Sequence, residues 1–237
     1  MSISKSITFE NLSKDYAELK VLSSAKGTIQ SGSFTSLIGP NGCGKSTLLK
    51  ILSGITKQTW GTFTIPDSVA YVPQKNSLMP WLSVKQNLDF ADKINNTITP
   101  NLSKKALSLL ERFELNEFID YFPSQLSGGM QQKLSIINAI LRSPDLLLLD
   151  EPFSSLDSIT RRNLQKWLLE VWREEKITIL CVTHDIREAI FLSDTILAMS
   201  ARPGSIIAEF QVKPGKNKTN LKDNIDIEDK LEKILLS

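Results

Sequence analysis

Two short runs constrain the fold of these 237 residues more than any other feature: LLLL at 146–149 and ITILCV at 177–182. Neither alternates apolar with polar residues, so neither suits a sheet with one wet face. Strands apolar at nearly every position belong to a parallel sheet covered by helices on both sides. The neighbouring segments supply those covers. ITRRNLQKWLLEVWREE (159–175) has the spacing of an amphipathic helix, and a further helix follows at 185–192. SFTSLIGP (33–40), SVAYVPQ (68–74) and DTILAM (194–199) read as strands, with another near 205–210, while KSTLLKILSG (45–54) reads as a helix closed by Gly54.

The α/β alternation is broken once. From Ser83 to Arg142 the patterns turn helical, through SVKQNLDFADKI, SKKALSLLERF and SGGMQQKLSIINAILR, so a helical lobe inserted at about 83–143 is expected. Upstream, from Ile7 to about Ile65, short β-rich runs alternate with turns. Residues 1–212 are read as one α/β domain. Residues 213–237 form a polar tail that ends in a short amphipathic helix, with Ile227, Leu231, Ile234 and Leu235 on one face. That face is expected to pack on its own domain rather than on a partner.

Composition removes several classes of function. With 41% hydrophobic and 23% charged residues the chain reads as an ordinary globular protein, and its formal charge of +2 gives no electrostatic case for a nucleic-acid partner. The cysteines, Cys43 and Cys181, are too far apart in sequence to suggest a metal site or a disulfide framework, which fits a reducing compartment. MSISKSITFENLSKDY has no apolar core of signal-peptide length, and nowhere do about 18 apolar residues run uninterrupted. Any service to a membrane is expected to be by docking.

The strongest chemical signal is Gly39-Pro40-Asn41-Gly42-Cys43-Gly44-Lys45-Ser46-Thr47, which matches G-x-x-x-x-G-K-[ST] between a strand and a helix. Glycines let backbone N–H groups turn inward around a phosphate, and the helix N-terminus adds partial positive charge. Lys45 supplies an ammonium to the β- and γ-phosphates, and Ser46 a hydroxyl to Mg²⁺. Asp150 and Glu151 end the LLLL strand. Asp150 is placed to reach Mg²⁺ through water. Glu151 faces the other way along the pleat, where it can take a proton from attacking water. His184 is the only histidine in the chain. A lone histidine is more often structural than catalytic, but this one ends ITILCVTH as the acidic pair ends LLLLDE. Adjacent parallel strands would bring all three residues to the sheet edge where ligands bind.

With these pieces in order, the chain resembles the ABC ATPase family over about residues 5–210. The deciding segment is Leu126-Ser127-Gly128-Gly129-Met130-Gln131-Gln132, similar to an LSGGQ-type signature. Taken alone, SGG would pass for a helix cap with flexible glycines. The resemblance implies a P-loop NTPase (RecA-like) core with a mainly parallel sheet, an N-terminal antiparallel β-subdomain and the inserted α-helical subdomain. It further implies that Gln74 is the Q-loop glutamine touching Mg²⁺ and that residues 154–157, ending in Asp157, form the D-loop. His184 becomes the switch residue at the γ-phosphate, and Tyr16 the aromatic that stacks on adenine. ATP and Mg²⁺ are the implied ligands. Each ATP is implied to lie between the phosphate loop of one copy and Ser127, Gly128, Gly129 and Asp157 of a second.

Leu78-Met79-Pro80-Trp81-Leu82-Ser83-Val84 and Ser200-Ala201-Arg202-Pro203-Gly204-Ser205-Ile206 resemble segments of the nitrate/sulfonate/taurine-type import ATPases. That likeness implies integral-membrane permease subunits, an extracytoplasmic solute-binding protein and a peripheral place on the cytoplasmic face of the inner or plasma membrane. Service to an efflux system is the alternative. Two residues depart from the family pattern: Lys133 and Asn138 stand where arginines are usual.

Overall fold

In the computed structural model, which describes residues 6–74, 77–94, 102–212 and 221–236, the chain opens with two long strands, β1 (Ile7–Tyr16) and β2 (Leu19–Ile29). Next come β3 (Phe34–Ile38), α1 (Lys45–Leu52), β4 (Trp60–Thr64) and β5 (Val69–Val72). Three helices follow: α2 (Val84–Ile94), α3 (Lys104–Arg112) and α4 (Gly128–Leu141). Alternation resumes with β6 (Leu146–Asp150), α5 (Ser158–Glu175), β7 (Thr178–Val182), α6 (Ile186–Leu192), β8 (Thr195–Met199) and β9 (Ile206–Gln211), and α7 (Leu221–Leu236) ends the described chain.

The apolar runs become β6 and β7, side by side in a six-stranded sheet of order β5-β6-β7-β3-β8-β9. Its neighbours pair in parallel except β8 with β9, which are antiparallel. Every residue of β6 and β7 is buried, and the pleat divides them between two covers. Leu146 and Leu148 pack with Leu48 and Ile51 of α1 and with Phe9 of β1. Leu147 and Leu149 pack with Ile136 and Ile140 of α4 and with Leu164 and Leu168 of α5. Each such leucine, taken fully from water, contributes roughly 1.5–3 kcal/mol. A polar residue on either face would forfeit that gain.

β2, β1 and β4 form a separate antiparallel sheet. Its first two strands run ten and eleven residues rather than as the short runs expected. Asn11, Ser13 and Lys14, around fully buried Leu12, give this stretch the look of a turn in sequence. Here it is absorbed by register shifts that bend β1 without ending it. The helices α2, α3 and α4 fall between β5 and β6, which are themselves adjacent. On α7, fully buried Leu231, together with Ile227, Ile234 and Leu235, packs against α6 and the β8–β9 end of the sheet. The polar stretch at 213–220 lies outside the described residues.

The turn after β8 presses on the loop after β3. A Cβ placed on Gly204 would overlap the Cys43 carbonyl oxygen and stand 2.7 Å from Met199 Cε. The same residue is stitched to β2, donating from its amide to Val21 O at 2.9 Å and accepting from Ser23 N at 3.0 Å. With main chain on both sides, the turn has little room to retreat. Gly204→Ala is therefore expected to destabilise the fold by about 1–3 kcal/mol through overpacking. Chemical denaturation checks this: an unchanged midpoint would mean that the loop yields freely.

Candidate functional site

The carboxyl ends of β3, β7 and β6 lie next to one another, and each carries part of the chemistry. Residues 39–44 turn after β3, with Gly42 at φ 76° and Gly44 at φ 112°, conformations open to glycine without strain. Gly44 caps α1 with no side-chain bond, whereas Ser103, Ser127, Asp157 and Asp185 cap α3 to α6 with theirs. The first turn of α1 also holds no acidic residue. Its N–H groups and the positive end of its dipole are thus left to an anion. Lys45, only 5% exposed, donates to Gly39 O at 2.7 Å and to Pro40 O at 3.0 Å. Cys43 is buried behind the loop, and burial pushes its thiol pKa up against the opposing pull of Lys45. It serves packing, not nucleophilic chemistry.

Asp150, 3% exposed at the end of β6, accepts from Ser46 Oγ at 2.9 Å and from Tyr71 Oη at 3.0 Å. Burial, then the Asp150 charge, raises the Tyr71 pKa above its ordinary value. The Ser46–Asp150 pair fits Mg²⁺, a hard ion that takes one or two carboxylates or hydroxyls and completes its shell with water and phosphate oxygens. It needs no dense ligand cluster, and among the described residues there is no group of three or more metal-binding side chains.

Glu151 departs from the pleat reading. The strand ends at Asp150, and Glu151 takes a left-handed conformation, φ 47°, while its amide still donates to Val182 O at 3.1 Å. For a non-glycine residue such a backbone costs on the order of 1–3 kcal/mol, a strain typical of functional positions. The kink, not strand alternation, aims the carboxylate. Its Oε2 accepts from Gln74 Nε2 at 3.0 Å and lies 3.4 Å from His184 Nδ1. Gln74, Glu151 and His184 line a cleft of about 480 Å³ together with Asn41, Gly42, residues 44–47 and Val21 of β2.

Not every expected residue meets there. Tyr16 is half-exposed at the end of β1 with the Lys14 ammonium 4.7 Å from its ring centre, and it is not part of the cleft wall. Ser127, Gly128 and Asp157 are exposed and Gly129 partly so, and none lines the cleft of its own chain. Ser127 Oγ caps α4 by accepting from Met130 N at 3.3 Å. Asp157 accepts from Ile159 N and Thr160 N at 3.0 Å each, and hydrogen bonding, Thr160 foremost, holds its carboxyl below the usual range. Lys133 donates to Phe113 O at 3.2 Å, whereas the buried Asn138 Oδ1 has no hydrogen-bond partner. Tyr71 and Val21 are site residues that sequence reasoning missed. The one usable signal was a hydroxyl in the otherwise apolar strand VAYV; Val21 offers none.

Residues 22–154 match the family model described as ABC transporter. Over 200 residues the chain is 42% identical to the aliphatic sulfonates import ATP-binding protein SsuB 1 of Pseudomonas savastanoi pv. phaseolicola, covering 84% of this chain and 82% of that protein. The SsuB protein of Bacillus thuringiensis subsp. konkukian is 38% identical over 234 residues, 93% of this chain and 90% of that protein. Among solved structures, the dimeric structure of MJ0796, a bacterial ABC transporter cassette, superposes with a TM-score of 0.77 at 29% identity, covering 87% of this chain and 99% of that one. The matched segment spans more than half of the sequence and carries both the phosphate loop and the acidic pair: the chain belongs to the ABC transporter family.

Proposed function

We propose that this chain is the ATP-hydrolysing motor of an uptake system for aliphatic sulfonates, working as a pair of copies against an integral-membrane permease at the cytoplasmic face. The observation that carries this reading is the likeness to SsuB proteins along nearly the whole chain. Those relatives are named for import, which favours uptake over efflux. No helix among the described residues is long and apolar enough to cross a membrane. In this reading the permease carries the solute path, fed by an extracytoplasmic binding protein. Trp81, 71% exposed and shortly after Gln74, suits the docking of a permease loop.

In this reading the segment 39–47 binds the nucleotide phosphates, mainly through backbone amides, and Lys45 carries its ammonium to the β- and γ-phosphoryl oxygens. Ser46 and Asp150 would hold Mg²⁺, with Gln74 alongside, and the ion would supply charge neutralisation at the phosphoryl oxygens. Glu151 accepts the proton of the attacking water, and His184 contacts the γ-phosphate. The exposed α4 tip of the second copy, Ser127 to Gly129, closes over that phosphate with its own uncommitted helix N–H groups, and Asp157 sits at the same junction. Nucleotide thereby favours the closed pair, and hydrolysis releases it.

Glu151→Gln is expected to lower kcat by about 10²- to 10⁴-fold while ATP binding persists, the span typical of a lost general base. Unchanged steady-state hydrolysis would falsify that role. Chains disabled at Ser127 and chains disabled at Lys45, each inactive alone, are expected to regain hydrolysis on mixing, with one competent site per mixed pair. Two competent sites per pair, counted by trapped nucleotide, would refute sharing. Cells lacking the gene should fail to grow on an alkanesulfonate as sole sulfur source. Normal growth there, with loss of growth on a different solute, would overturn the substrate assignment.

A further inference from the structure

Behind the cleft wall, a buried carboxylate that touches no phosphate-binding group joins two loops. Glu188 on α6 is 8% exposed. Its Oε2 accepts from Thr183 Oγ1 at 2.6 Å, and its Oε1 accepts from Gln165 Nε2 at 3.1 Å and lies 3.7 Å from Arg161 Nε. Thr183 immediately precedes His184, and its hydroxyl also accepts the Asp185 amide at 3.1 Å, so Glu188 holds the turn that presents the histidine. On its other side, Arg161 Nη2 donates to Leu156 O at 3.0 Å, the carbonyl just before Asp157. Glu151, His184, Arg161 and Glu188 all border one cavity of about 20 Å³, so this pair adjoins the hydrolytic wall directly.

A brace between two helices would end on helix bodies. This one joins α5 to α6 through Gln165 and also reaches past both helices to the loops at 156 and 183. Arg161 Nε is buried without a hydrogen-bond partner, so the Glu188 charge 3.7 Å away compensates it there, and neutralising Glu188 leaves that nitrogen uncompensated. We propose that Glu188 and Arg161 are positioning residues that tie the His184 turn to the Asp157 loop, so that the two loops respond as one unit when a second copy docks. This rests on the two-copy reading, in which Asp157 faces the partner and His184 its own nucleotide.

The test is a double-mutant cycle on the full-length chain with Glu188→Gln, Arg161→Met and the pair together, reading kcat, ATP affinity by fluorescent nucleotide, and thermal midpoint. Each single change is expected to lower kcat on the order of 10- to 100-fold, the cost of a displaced catalytic group, with ATP affinity held within about threefold. The double change should lose no more than the worse single, as expected of residues acting as a unit. If a single variant fails to fold, Thr183→Val cuts the same tie with the charge pair intact and should give the same split between kcat and affinity. Additive losses, affinity falling in step with kcat, or unchanged kcat would each overturn the proposal. Failure of the two-copy reading would look different: Ser127- and Lys45-disabled chains would not complement, whatever the cycle showed.

Discussion

Everything at the cleft depends on burying both faces of β6 and β7. Because each leucine of 146–149 needs an apolar neighbour on its own side, α1 and the antiparallel sheet must cover one face and α4 with α5 the other. That requirement fixes β6, β7 and β3 as neighbours running the same way, and their carboxyl ends therefore open together. The phosphate loop, the acidic pair and the histidine turn are three consequences of one packing solution. Placement by a rigid sheet also explains how residues more than a hundred positions apart, Ser46 and Asp150, come to share a hydrogen bond.

How much of this was legible in the sequence varies with the kind of force involved. Periodicity reports burial, so the parallel core, the helical insertion and the buried face of α7 could be read before any coordinates. Spacing reports backbone chemistry, so residues 39–47 could be read as well. Glu151 shows where this stops. Alternation along the strand put its carboxylate across the pleat, but a left-handed kink does the aiming, and nothing in the letters DEP announces that φ is positive. The length of β1 was hidden for a related reason: polar residues at 11, 13 and 14 mimic a turn, and only pairing with β2 and β4 shows a bent strand. Val21 could not be found at all, since an apolar residue in a strand looks the same whether it faces core or cleft.

A single copy also displays groups that do not reach its own cleft. Ser127 and Asp157 each cap a helix and stand in the open, away from the cleft that their own chain forms. Among the described residues, α2 to α6 each start at a capping side chain, Ser83 serving α2, while α1 does not. The contrast marks α1 as a helix whose first turn has no side-chain cap and stands open to a ligand.

The resting place of Lys45 carries a consequence of its own. Its ammonium already has two carbonyl acceptors, Gly39 O and Pro40 O, so an arriving anion gains only the difference between those contacts and the new ones. Recruitment of the lysine is an exchange reaction rather than a simple attraction. A lone phosphate, competing for one contact at a time, has little leverage in that exchange. On the proposed reading, a polyphosphate chain anchored first at the α1 amides would deliver its terminal oxygens at high local concentration, so the loop would favour a longer chain over a lone phosphate.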